Sequence, residues 1–158
     1  MNSPPFSHLD TQVAEILIRY PVSKRSAAMP VLHLIQETYG YISNEAIEWA
    51  ASKLELQPIN LLELVTFYPM YRQKLLGKYH IKVCRTLPCA LQGSETLCEH
   101  LLKKLGVALD ETTLDGKFTV SHVECIASCG TAPVIQINDD LYEKVTSQKV
   151  DELLMKGI

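Results

Sequence analysis

Tyr79-His80-Ile81-Lys82-Val83 alternates apolar and polar side chains, and Phe118-Thr119-Val120-Ser121-His122-Val123 reads the same way, as a second β-strand. Between them Leu97, Cys98, Leu101, Leu102 and Leu105 fall at helical spacing. A strand, a helix and a strand of this length make a crossover unit. Its strands are parallel and its crossover right-handed. Parallel strands end on the same edge of a sheet. Just past the first strand stands Cys84-x4-Cys89, and just past the second stands Cys125-x3-Cys129, with thirty-five residues between the pairs. The topology therefore predicts that two cysteine pairs distant in sequence meet at one sheet edge.

The chain has 158 residues, 47% of them hydrophobic and 21% charged, as in an ordinary globular protein of one domain or two small ones. A net charge of -3 gives no nucleic-acid footprint. No apolar run reaches membrane-spanning length, so no direct membrane insertion is expected. The start, Met1-Asn2-Ser3-Pro4-Pro5, lacks the basic and apolar regions of a signal peptide. These features point to the cytoplasm, where thiols stay reduced and five cysteines fit ligation better than disulfides.

Upstream of the first strand the pattern is helical. Ser7 is expected to cap a first helix, with Asp10 in the capping-box position and Leu9, Val13, Ile16, Leu17 and Tyr20 as its stripe. A second helix runs from about Ser26 to Tyr39, is bent or begun by Pro30, and closes on Gly40. Ser43 caps a third, with Ile47, Trp49, Ala50 and Leu54. Pro58 opens a fourth, with Leu61, Leu62, Leu64 and Val65. Short connections make this a small bundle, and the stripes are core. The boundary falls near Gln73 to Lys78.

Downstream, Val134-Ile135-Gln136-Ile137 and Leu141-Tyr142-Glu143-Lys144-Val145 flank Asn138-Asp139-Asp140 as a hairpin. Ser147 then caps a last helix with Val150, Leu153 and Leu154, followed by Gly157. Only nine residues separate Val123 from Pro133, too few for another helix. The fold class is α+β: a helical bundle over 1–76, then a β-α-β-β-β-α domain over 77–158 in a thioredoxin-like arrangement. One sheet face, the one carrying His80 and Lys82, is left without a helix.

Four thiols at one edge admit three chemistries. A thiol–disulfide site normally uses Cys-x-x-Cys at a helix start, which these spacings are not. Structural zinc accepts four cysteines but favours tight knuckles two residues apart. An iron–sulfur cluster also takes four thiolates and suits longer loops. Spacing favours the cluster and leaves zinc open. Ala90, Leu91, Ile126, Ala127, Ala132 and Pro133 give small or apolar surroundings. An oxidised two-iron core with four thiolates carries about -2, and Arg85 is either a cation offsetting it or a solvated loop charge. Backbone N–H groups are the other donors expected at sulfur. Pro133 is a candidate for a cis bond. Cys98 lies mid-helix on the apolar side and reads as a small buried hydrophobe.

Cys-Arg-Thr-Leu-Pro-Cys-Ala-Leu at 84–91, Asp-Gly-Lys-Phe-Thr-Val at 115–120 and Glu-Cys-Ile-Ala-Ser-Cys-Gly-Thr-Ala-Pro at 124–133 resemble the E-subunit family of bacterial NADH-quinone oxidoreductase, respiratory complex I. Arg-Tyr-Pro at 19–21 and Tyr-Gly-Tyr-Ile-Ser at 39–43 are similar to the same family's N-terminal region. The resemblance covers nearly the whole chain. It implies a thioredoxin-like [2Fe-2S] ferredoxin domain after a helical bundle, with one [2Fe-2S] cluster on Cys84, Cys89, Cys125 and Cys129. It also implies a larger flavoprotein partner that binds NADH and FMN, and a place in the peripheral arm of a membrane-bound respiratory complex. Similar subunits occur in NAD-linked hydrogenases and formate dehydrogenases. A zinc-stapled adaptor is the rival of a different class. No Gly-rich dinucleotide fingerprint, Walker loop or nucleophile–base constellation is visible in the sequence, so no catalytic residue is assigned to this chain. Hydride chemistry belongs on a flavin elsewhere.

Overall fold

The structure, a computed structural model, describes residues 6–156. Residues 1–5, on which the signal-peptide reading rests, and 157–158, with the Gly157 expected after the last helix, lie outside the described residues. The chain divides into two compact units between Leu75 and Leu76.

The first unit holds four helices: α1 (Asp10–Ile18), α2 (Ala28–Tyr39), α3 (Asn44–Leu54) and α4 (Pro58–Phe67). Their apolar stripes share one core. Leu9, Val13, Leu32, Ile35, Ile47, Leu54 and Leu61 are buried in it, with Ile42 from the α2–α3 connection. Pro30 sits in the first turn of α2, where its missing N–H costs nothing. Gly40 closes that helix at φ +81°, a conformation that disfavours residues with a Cβ. Tyr71 is buried against the bundle and donates to the Met29 carbonyl at 3.2 Å; burial pushes its phenol up to about 12.

Two capping expectations divide. Ser43 does cap α3, its hydroxyl accepting from the Ala46 N–H at 3.2 Å. Ser7 does not cap α1. It begins a 3-10 turn, Ser7–Leu9, and α1 starts from Leu9 with no side-chain cap. Asp10 instead pairs with Lys53 at 2.7 Å. Ser43→Ala is expected to cost about 1 kcal/mol, read as a lower denaturant midpoint at unchanged slope, while Ser7→Ala leaves the midpoint alone.

The second unit is built on a four-stranded sheet in the order β2-β1-β3-β4, from β1 (Tyr79–Cys84), β2 (Phe118–Val123), β3 (Ile135–Ile137) and β4 (Asp140–Tyr142). β1 and β2 are parallel, in register from Tyr79 opposite Phe118 to Cys84 opposite Val123. β3 runs antiparallel to β1, and β4 antiparallel to β3. The crossover carries α5 (Leu87–Leu91) and α6 (Ser94–Leu105), and α7 (Ser147–Lys156) ends the unit. Leu97, Cys98 and Leu101 of α6 and Val150 of α7 share a core with Ile81, Val83, Val120, Ile135 and Ile137, so these helices cover one face. His80, Lys82, Ser121 and Gln136 stand half-buried on the other, with His80 Nε2 2.9 Å from Ser121 Oγ. Gly77 has a steric reason to be glycine: a Cβ there would stand 2.8 Å from the Lys117–Phe118 backbone.

The hairpin is shorter than its sequence pattern suggests. Asp140 belongs to β4, opposite Ile137, and the strand stops at Tyr142. Lys144 turns to φ +48° and donates its N–H to the Thr131 carbonyl at 2.8 Å, and Val145 donates to Pro133 at 3.0 Å. These bonds pull the chain off the ladder. The last helix is capped one residue earlier than expected, the Thr146 hydroxyl accepting from the Lys149 N–H at 3.2 Å, and Ser147 is its first residue.

Candidate metal centre

The register of β1 and β2 places the centre. Cys84 is the last residue of β1 and lies opposite Val123, the last of β2, so both following loops leave the same sheet edge. Arg85 N–H continues the pairing to the Val123 carbonyl at 3.0 Å, and Cys84 N–H reaches the Val134 carbonyl at 3.3 Å. Three segments thus meet: the turn into α5, the 124–132 loop, and the entry to β3.

Cys89 hangs from α5, a five-residue helix with Pro88 in its first turn. Cys84 and Cys89 are buried with Val134, against Ile126 and Ala132. Cys125 and Cys129 are exposed, and Cys129 opens the 3-10 turn Cys129–Thr131. The Ala132–Pro133 bond is cis.

The four thiols feel one another. Burial pushes the Cys89 thiol up most, and the Cys84 thiol and the charge of Cys129 add to it. The Cys129 thiol is raised chiefly by Cys125, then by burial and by Cys84. At Cys84 burial is the largest single influence and opposes ionisation. Hydrogen bonds from the Thr86 hydroxyl, the Thr86 and Ile126 backbone and the Cys89 thiol together outweigh it, and that thiol is held below its ordinary range. Cys89 and Cys129, the two thiols that neighbouring cysteines hinder from ionising, would be relieved by a cationic core beside them, because its charge reverses the local preference. As placed, no three His, Cys, Asp or Glu side chains among the described residues form a group that could hold a metal ion. The thiols are near enough for Cys84, Cys89 and Cys129 each to feel another cysteine.

Donors to sulfur are in place. Ala127 takes φ +61° and points its N–H at Cys125 Sγ, 3.2 Å away. Thr86 Oγ1 lies 3.3 Å from Cys84 Sγ, and the Val134 backbone donates toward Cys89. Sequence reasoning does not single out Thr86 or Val134 as donors. A threonine two residues past a cysteine is the only local signal for the first.

Of the two readings of Arg85, the solvated loop charge fits: it pairs with Glu124, Nε to Oε1 at 2.9 Å, on exposed side chains. One expectation about the surroundings fails. Leu91 is 75% exposed, together with Leu87 on the same short helix, so it is no wall of the site. α5 is too short to turn both faces inward. Cys98 stands apart: it is buried in the α6 core, and its thiol is pushed up to about 11 by burial and then by Glu95, Glu99 and Asp110, none of them a cysteine.

Residues 13–157 match the family model for the thioredoxin-like [2Fe-2S] ferredoxin. The chain belongs to that family. Among curated relatives of this ferredoxin-family chain, the E subunit of the NADH-quinone oxidoreductase of Rickettsia felis is 46% identical over 142 residues, 89% of this chain and 85% of the relative. Subunit 2 of the NADH-quinone oxidoreductase of Thermus thermophilus is 42% identical over 145 residues, 91% of this chain and 80% of the relative. Among solved structures, an NAD+-reducing [NiFe]-hydrogenase in its H2-reduced state superposes with a TM-score of 0.68 at 20% identity, over 80% of this chain and 22% of that one. At that identity the likeness concerns the fold of this ferredoxin-family chain alone.

Proposed function

We propose that this chain is the iron–sulfur electron-transfer subunit of an NADH-quinone oxidoreductase, with Cys84, Cys89, Cys125 and Cys129 holding one [2Fe-2S] cluster. The observation that carries the reading is the meeting of four thiols from two distant loops at the edge where β1 and β2 end. A single zinc ion favours tight knuckles two residues apart, whereas the Cys84-x4-Cys89 and Cys125-x3-Cys129 spacings suit a wider two-iron core. Such a cluster, when bound, takes up and releases one electron at a time. The chain's own part is to supply four thiolates, to aim the Ala127 and Val134 N–H groups at sulfur, and to keep water from the inner pair with Ile126, Ala132 and Val134.

NADH and FMN belong on a flavoprotein partner in this reading, and the complex as a whole is the oxidoreductase. No helix among the described residues is long and apolar enough to cross a membrane, which suits a cytoplasmic place in the peripheral arm. The relatives named as NADH-quinone oxidoreductase subunits match most of the chain and favour that complex over a hydrogenase or formate dehydrogenase. Recovery of a hydrogenase or formate dehydrogenase large subunit with the native protein would overturn that choice.

The test is metal and sulfide analysis with EPR of one sample reduced by dithionite. The cluster reading expects two irons and two labile sulfides per chain and a paramagnetic reduced state. One zinc per colourless chain would sink it in favour of the zinc-stapled adaptor.

A further inference from the structure

Glu143 lies just past the end of β4, fourteen positions from Cys129 in sequence, and its side chain returns to the cysteine loop. Its Oε1 accepts from Ser128 Oγ and from Thr131 Oγ1, each at 2.5 Å. The two hydroxyls are themselves 2.7 Å apart. Ser128 immediately precedes Cys129, and Thr131 closes the turn Cys129–Thr131. Each hydroxyl has one proton to give, and an ionised carboxylate is a stronger acceptor than the Ser128 carbonyl, which Thr131 Oγ1 also approaches at 3.1 Å. The backbone repeats the tie through Lys144 N–H to the Thr131 carbonyl.

The consequence falls on Cys129. Cys84 and Cys89 are held by β1, α5 and a small apolar cluster. Cys129 is exposed and lies outside that apolar cluster, so hydrogen bonds in its turn help to set its direction. The carboxylate reaches across from the far strand and fixes the residues on both sides of it. It also sets a formal negative charge one hydrogen bond from Ser128 and from Thr131, the residues that bracket that cysteine in its turn.

We propose that Glu143 is a positioning residue for the Cys129 side of the centre, acting through Ser128 and Thr131, and that its charge lowers the reduction potential there. This rests on the ligand assignment above, and the experiment separates the two. Full-length chain, Glu143→Gln and Glu143→Ala are reconstituted with iron and sulfide beside Cys129→Ala. Iron and sulfide content, EPR-monitored redox titration and the rate of iron loss to a chelator are measured. Glu143 is exposed, and circular dichroism of each apo chain checks that it folds.

Glu143→Gln keeps an oxygen acceptor for both hydroxyls and removes the charge. Its cluster is expected at full occupancy with a higher midpoint potential, because reduction adds an electron that the carboxylate no longer repels. Glu143→Ala removes the clamp as well, and iron is expected to leave about tenfold faster, the low end for loss of an outer-shell partner. A potential unchanged in Glu143→Gln together with wild-type iron loss in Glu143→Ala would overturn the proposal. A general packing role alone would leave the potential of the Gln form where it was. Full cluster content in Cys129→Ala would instead overturn the ligand assignment, whatever Glu143 does.

Discussion

Alanine at any one of Cys84, Cys89, Cys125 or Cys129 is expected to leave a chain that assembles no stable [2Fe-2S] cluster, while Cys98→Ala assembles it in full. On the proposed assignment each lost thiolate would remove one of four bonds to the core, and the carboxylates of the neighbouring segments already have partners. Glu124 is engaged with Arg85, and Glu143 with Ser128 and Thr131. The exposed pair gives the cleanest result. Cys125 and Cys129 contribute little packing, so loss of iron there reports ligation and not misfolding. Cys98 is the matched control, because it is buried in the α6 core and truncating it perturbs packing without touching the centre. The measurement is iron and sulfide per chain and the reduced-state EPR amplitude for five variants reconstituted in parallel. Loss of cluster in Cys98→Ala, or full content in any of the other four, would refute the assignment.

Periodicity and topology decide how much of this molecule is legible in its sequence. The alternation at Tyr79–Val83 and the spacing of Leu97, Leu101 and Leu105 respond to one large force, the burial of one face. Parallel strands then leave no freedom about where Cys84 and Cys125 emerge. Terminal details depend on much smaller energies. Ser7 and Thr146 are both hydroxyl residues near a helix start, yet only Thr146 caps, because a 3-10 turn occupies Ser7. α5 escapes a periodicity reading because five residues are too few for a period, although Pro88 marks its first turn. Nearness in sequence puts Arg85 beside the cysteines. Its partner Glu124 stands thirty-nine residues on, across the β1–β2 pair that the same topology builds. Glu143 is illegible for a similar reason: its tie to Ser128 and Thr131 exists only once β4 has been laid beside β3 and the chain has left the ladder at Lys144.

Leu101→Ala is expected to lower the melting midpoint of the apo second unit sharply, and cluster assembly is expected to raise it again. Leu101 is fully buried where α6 packs on the sheet. Truncation at such a site costs about 2–5 kcal/mol. A unit of some 83 residues (Leu76–Ile158) has only about 4–12 kcal/mol to lose. That corresponds to a fall in its melting midpoint of order 10–30 °C. Ligation binds the folded arrangement of the two cysteine loops and not the open chain, so the cluster adds its binding free energy to the folded state. Leu32→Ala is the counterpart in the first unit, equally buried and of identical chemistry, but in a core that contains no ligand. Thermal melts of both variants with and without cluster, followed by far-UV circular dichroism and by cluster absorbance, make the comparison. The cluster is expected to raise the midpoint lowered by Leu101→Ala and to leave the one lowered by Leu32→Ala in place. Equal rescue of both would mean that the two units melt as one cooperative block, and no rescue of Leu101→Ala would mean that the centre contributes nothing to holding its unit together.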